Sequence, residues 1–303
     1  MNADKGRLLP SLVGSPHPIL PAYAAATLAA CLMGLMGVFV RQLPLSDETI
    51  ALARFGLGLL FLVGFLLVSG RCRQLTGRLS LYPILSGIFI ALCMLCYIKA
   101  IKLTALATAA FLLYLGPLLA AAASFVLLGE RLSRTGGLLI LAAFLGCALM
   151  VGVDIGSSES AWCGNLFGLG AGLFYAVFIV TNRMIPAEIT PFTRAGYQLL
   201  TATLVLLPFA DLGSVAASGS TELLWTVALG FTQGFLGVTL MIVAIGHLQA
   251  YQYGTIAYLE PVVAALAGLL LYDETILWRQ ALGGFLIVTS GIAQTLLSVK
   301  TDA

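Results

Sequence analysis

Ten apolar runs follow one another along the chain, at roughly residues 21–41, 48–69, 80–101, 104–128, 134–153, 161–181, 191–210, 222–246, 251–271 and 278–298. Each is close to the roughly 20 residues that an α-helix needs to cross the hydrocarbon core of a bilayer. Lipid offers the backbone no hydrogen-bond partner, so a spanning segment must satisfy its own amides, as a helix does. The composition agrees: 60% of the 303 residues are hydrophobic and 9% are charged, against about 25% charged in soluble domains. Mean hydropathy is +1.04. These values exclude a soluble globule and predict an all-α integral membrane protein of ten transmembrane helices, with no separate soluble domain. The Lys and Arg residues flank apolar runs and form no basic face, which argues against a nucleic-acid partner. The expected surroundings are a lipid bilayer and a small-molecule substrate, with a monomer as the working state.

Residues 1–20 carry Lys5 and Arg7, then Pro10, Pro16 and Pro18, which interrupt any apolar core of a cleaved leader. They read as a cytoplasmic tail, and residues 299–303 as a second one. With both termini inside, Lys5, Arg7, Arg71, Arg73, Arg78, Arg131, Arg134, Arg183 and Lys300 fall on the cytoplasmic side, and Arg41, Lys102 and Arg279 outside. That distribution follows the tendency of positive loops to stay in the cytoplasm. A bacterial inner membrane is the expected location, and the alternation requires breaks near Leu103 and Gln249, where polarity barely rises.

Shifting the chain by 144 residues lays Tyr97–Glu130 on Met241–Glu274 without a gap, and Tyr114, Pro117 and Glu130 meet Tyr258, Pro261 and Glu274. A shift of 140 sets Arg54 on Arg194. The chain therefore divides into a first repeat, 21–153, and a second, 161–298. Five helices per repeat make the second copy cross in the opposite sense, so the two five-helix repeats are inverted. Inverted repeats suit secondary transporters, whose halves exchange outward-open and inward-open shapes around a midplane site.

The segments Leu113–Glu130 (LYLGPLLAAAASFVLLGE) and Ala257–Glu274 (AYLEPVVAALAGLLLYDE), each with a proline, a small-residue run and a terminal Glu, resemble the EamA repeat of the drug/metabolite transporter superfamily. Gly136-Gly137 and Gly283-Gly284 fit the glycine that opens the next helix. The resemblance covers about residues 22–298 and is strongest to the YddG-type exporters of aromatic amino acids. It implies amino acid export. Other branches of the superfamily export cysteine metabolites, threonine, purines or cationic drugs.

Glu260 is the one carboxylate placed deep in an apolar run, opposite Gly116 of the first repeat. An intramembrane acid is expensive and marks a function by default. It either binds a substrate ammonium or exchanges a proton for substrate, or else it is structural, paired with Arg54 or Lys99. Arg54 and Lys99 either hold a substrate carboxylate or snorkel, and Arg194 is expected to snorkel. Tyr114 and Tyr258, three residues before the prolines, are expected to line the cavity, together with Tyr97 and Gln233. Pro117 and Pro261 each remove an amide donor and are read as hinges that let each half bend. Trp162 reads as an interfacial anchor, and His247, Gln249 and Gln252 as caps of a tight turn.

Cys93 and Cys96 form a CxxC with no second ligand pair, so the six cysteines are expected to pack, with no disulfide, metal or cofactor. No GxxxxGK[ST] phosphate loop is present. His17 and His247 stand far apart in the chain, so no catalytic residues are assigned and an enzyme is disfavoured, as is a channel.

Overall fold

The computed structural model describes residues 19–71, 73, 80–103, 109, 112–129, 133–151, 159–186, 188–216, 218–272 and 277–302. Lys5, Arg7, Arg78, Glu130, Arg131 and Glu274, and the residues just beyond Leu103, lie outside them.

Among the described residues all regular structure is helical: α1 Ile19–Gly34, α2 Met36–Gln42, α3 Asp47–Val68, α4 Leu81–Leu103, α5 Leu115–Leu127, α6 Arg134–Val151 and α7 Glu159–Arg183. There follow α8 Pro191–Leu206, α9 Leu212–Ala216, α10 Ser220–Leu229, a π-helical stretch Gly230–Gly237, α11 Val238–His247, α12 Ala250–Ala257, α13 Leu259–Tyr272 and α14 Trp278–Asp302. Seven stretches are long and apolar enough to cross a membrane: Ile19–Val40, Asp47–Val68, Leu81–Ala100, Trp162–Arg183, Ser220–His247, Ala250–Leu271 and Trp278–Leu297. Leu115–Leu127 and Arg134–Leu149 are shorter apolar helices. Large apolar side chains stand outward along these rods, among them Leu60, Val126, Leu138, Leu224 and Phe285. A surface of that kind belongs in lipid, and the chain is an integral membrane protein.

Three rods are broken. Leu35 separates α1 from α2 with φ −80° and ψ 0°, Tyr114 precedes α5 with φ −72° and ψ −2°, and Tyr258 separates α12 from α13 with φ −65° and ψ −4°. Helical ψ is about −42°, so each break is one residue rotated towards ψ near zero. The prolines do not kink a continuous helix, as the sequence suggested. Pro117 and Pro261 sit in the first turn of a new half-helix, where an amide donor is not needed.

The two halves are packed through one another. α4 lies along α7 as α11 lies along α1, α5 meets α7 as α13 meets α1, and α3 meets the π-helical stretch as α8 meets α4. α6 pairs with α14, and α3 with α8. Each of these pairings turns into another, or into itself, when the halves are exchanged.

The caps fix the register of that exchange. Ser46 caps α3, its Oγ accepting from the Thr49 amide at 3.3 Å and lying 2.7 Å from Thr49 Oγ1. Thr190 caps α8 in the same way, accepting from the Thr193 amide at 3.3 Å and lying 3.0 Å from Thr193 Oγ1. The interval is again 144. Thr49, Ile50, Ala51, Arg54, Phe55, Gly58 and Leu62 are buried, and so are Thr193, Arg194, Ala195, Gln198, Leu199, Ala202 and Leu206. Arg54 therefore corresponds to Gln198, not to Arg194: the 140-residue shift matched identity across a wrong register. The expected break at Gln249 is present, with Gln249 and Gln252 forming a reciprocal capping box at the start of α12.

Candidate functional site

Glu260 sits in the first turn of α13, one residue before Pro261. The break at Tyr258 thus puts a carboxylate at the positive end of a helix dipole inside the bundle, a setting that favours negative charge. Its side chain is hydrogen-bonded by the Tyr114 hydroxyl and feels the charge of Arg54. Tyr97, Tyr175, Tyr253 and the thiols of Cys93 and Cys147 lie within electrostatic reach of the same carboxylate. Tyr175 and Tyr253 are joined through their hydroxyls at 3.1 Å. Tyr175 and Tyr253 are buried, whereas Glu260, Tyr97 and Tyr114 keep part of their surface accessible.

Arg54, on α3, is 8% exposed. One terminal nitrogen donates to Met33 Sδ at 2.7 Å, its guanidinium carbon lies 5.4 Å from the centre of the Phe55 ring, and Nε–H has no partner. Arg54 and Glu260 attract one another without touching. Both backbones are pinned. A Cβ on Gly34 would lie 2.6 Å from the Glu260 carbonyl oxygen, and one on Gly234 would overlap the Arg54 carbonyl oxygen. Only glycine permits these approaches of α1 and of the π-helical stretch. Within that stretch Gln233 is fully buried, donating to the Leu32 carbonyl beside the break of α1, with Oε1 unpartnered. π-helical turns recur at functional sites.

Glu260, Tyr114, Tyr97 and Arg54 are thus brought together, with Gln233 behind them. Tyr258, expected to line the cavity, is 0% exposed. Its hydroxyl donates to the Tyr114 carbonyl at 2.8 Å and meets the backbone of Leu118 in the first turn of α5. Pro117 packs against α12, since a Cβ on Gly254 would lie 3.0 Å from Pro117 Cβ. Lys99 is exposed on α4, so its side chain faces outward. Arg194 does not snorkel: it is 7% exposed and donates to the carbonyls of Ile189 and Pro186 at 2.9 Å. Its neighbour Gln198 donates to Ser86 Oγ at 2.5 Å and to Asn182 Oδ1 at 2.7 Å, fastening α8 to α4 and α7.

The sequence reading gave no role to Tyr175 or Tyr253. Both sit in helices crowded with apolar residues, and the one available signal was a hydroxyl at depth. Cys93 and Cys147 are buried and Cys96 is half-buried, as packing residues are, while Cys163 is exposed. Among the described residues no group of His, Cys, Asp and Glu is arranged to hold a metal ion.

Comparison with known proteins adds the following. The model of the EamA-like transporter family matches residues 20–152 and again 162–294. An uncharacterized transporter of Archaeoglobus fulgidus is 29% identical over 88% of this chain and 93% of its own length. The pseudopaline exporter CntI of Pseudomonas aeruginosa is 30% identical over 68% of this chain and 72% of its own. The threonine/homoserine exporter RhtA of Salmonella typhimurium is 28% identical over 52% of this chain, which spans about half of that relative (53%). A crystal structure superposes with a TM-score of 0.75 over 91% of this chain and 98% of the other at 22% identity, a shared fold.

Proposed function

The chain belongs to the EamA-like transporter family, and from that premise we propose that it exports amino acids, aromatic ones foremost, by alternating access. The observation that carries this reading is Glu260, set at a helix break among Tyr97, Tyr114, Tyr175, Tyr253 and Arg54. It lies where helices of both halves meet. An acid ringed by phenols, with rods broken at Leu35, Tyr114 and Tyr258 around it, is the arrangement that broken-helix transporters use at the midplane. The aromatic preference rests on the likeness to YddG-type exporters, and amino acid export in general is supported by the name of the threonine/homoserine relative.

The same reading takes the membrane topology as ten spans in two inverted repeats, with both termini in the cytoplasm of a bacterial inner membrane. The seven long apolar stretches, the shorter α5 and α6, and the 16-residue α8 supply ten rods. The nine-to-three distribution of positive residues supports the orientation. Reporter fusions after residue 303 and at residue 158 are expected to read on opposite sides. Pro117 and Pro261, each opening a half-helix, are the hinges.

Counterflow in proteoliposomes tests the function. Vesicles loaded with unlabelled amino acid should accumulate the labelled one above lipid-only vesicles, and no accumulation of any amino acid would refute amino acid export. Glu260→Gln separates two roles: loss of substrate binding marks an ammonium ligand, whereas intact counterflow with loss of pH-driven transport marks a proton carrier. A second reading, export of a cationic drug, is favoured by the ring of tyrosines around a carboxylate, which also suits an organic cation. Uptake of a cationic dye in place of amino acids would select it.

A further inference from the structure

Two opposite charges buried in one bundle collapse together unless something prevents it, because a low dielectric strengthens their attraction and removes the water that would serve each. Arg54 and Glu260 are in that position and do not touch. The carbonyl of Arg54 bears on Gly234 and that of Glu260 on Gly34, so each backbone is packed tightly against a different helix. Each charge is also under-supplied. A guanidinium carries five N–H donors, yet Arg54 has a thioether at one nitrogen and nothing at Nε. Glu260 has one phenol, Tyr114, for a carboxyl group that when ionised accepts about four hydrogen bonds.

We propose that Arg54 and Glu260 read both ends of one zwitterion at once, the substrate's ammonium lying against Glu260 within the tyrosines and its carboxylate on the free edge of Arg54. The inference rests on the transporter reading above and narrows its substrate to an α-amino acid with both charged groups free. A monocation satisfies Glu260 and leaves the guanidinium unserved, and a simple carboxylate does the reverse. A zwitterion serves both while adding no net charge to the bundle. The polarity is set by position: aromatic faces attract cations, and Tyr97, Tyr114 and Tyr253 interact with Glu260 and not with Arg54, whereas Tyr175 reaches both. The exchange-related positions are Gln198 and Gly116, which carry no charge, so the exchanged positions do not repeat this pair.

The test uses the full-length protein in proteoliposomes that exchange L-phenylalanine or L-threonine. Three unlabelled competitors are compared: the amino acid itself, its methyl ester, which lacks the carboxylate, and its N-acetyl derivative, which lacks the ammonium. On the wild type both derivatives should compete at least about tenfold more weakly than the parent, the loss that goes with one hydrogen bond to a charged group. Arg54→Gln should weaken the amino acid but not the ester, closing that gap, and Glu260→Gln should close the gap to the N-acetyl compound. If either variant fails to run as a monodisperse species, the wild-type ranking decides alone. Derivatives that compete as well as the parent overturn the inference, as does a gap that persists in a folded Arg54→Gln. If a dye or purine exchanges and amino acids do not, the zwitterion falls and transport stands. Exchange of nothing would refute both.

Discussion

The Tyr258 hydroxyl donates to the backbone carbonyl of Tyr114 at 2.8 Å, and the two residues, 144 positions apart, occupy the same place in the two halves. Their rings lie 6.2 Å apart. Corresponding breaks are thus in direct contact, and a movement of one half-helix is felt by the other. The contact is asymmetric, because the Tyr114 hydroxyl is engaged by Glu260 instead of returning the bond. Tyr258→Phe should leave the fold intact and cost about 0.6–1.5 kcal/mol. It should lower the melting temperature in detergent by a few degrees and change the counterflow rate more than substrate affinity. An unchanged rate would mean that the contact plays no part in the transport cycle.

Pro117 and Pro261 open half-helices, so replacing them with Ala removes no hydrogen bond and creates a donor that can extend each helix backwards through the break. Pro117→Ala and Pro261→Ala are each expected to remain monodisperse and to slow transport, the double variant most. Full counterflow by the double variant would show the breaks to be static.

Gly234 and Gly37 give opposite expectations for one kind of change. At Gly234 a methyl group meets the Arg54 carbonyl, whereas at Gly37 nothing lies within 4 Å. Gly234→Ala should destabilise by about 1–3 kcal/mol, the usual scale of overpacking. Gly37→Ala should be neutral or stabilising by up to about 1 kcal/mol through helix propensity. Melting curves in one detergent compare the two directly.

Ser46 and Thr190 perform the same cap in the two halves. Ser46→Ala and Thr190→Ala should each cost about 0.5–2 kcal/mol, with similar drops in melting temperature. A cost confined to one of them would mean that the shared geometry is not shared energetically.

The membrane class and the repeat were legible because they depend on patterns spread over many residues, and Glu260 because a lone acid stands out against an apolar background. The register of α3 and α8 was not, since matching Arg54 to Arg194 rewards identity, whereas the true relation is carried by two hydroxyl caps and a burial pattern. The prolines were visible, but the breaks lie three residues earlier, at tyrosines whose dihedral angles no composition announces. Arg54 looked like Lys99 in sequence. Only packing tells the buried guanidinium from the outward-facing ammonium, because both sit in similar apolar runs.

The threading of one half through the other has a consequence for synthesis. α4 lies along α7 and α8, and α3 against α8 and the π-helical stretch, so the surfaces that α3 and α4 pack on belong to segments that leave the ribosome later. Ser86 must wait for Gln198 and Arg54 for Gly234. The early spans are therefore expected to enter the bilayer individually, with consolidation following delivery of the last ones. A chain truncated after the first repeat should be inserted yet remain open to membrane proteases, and become protected when the second repeat is supplied as a separate polypeptide.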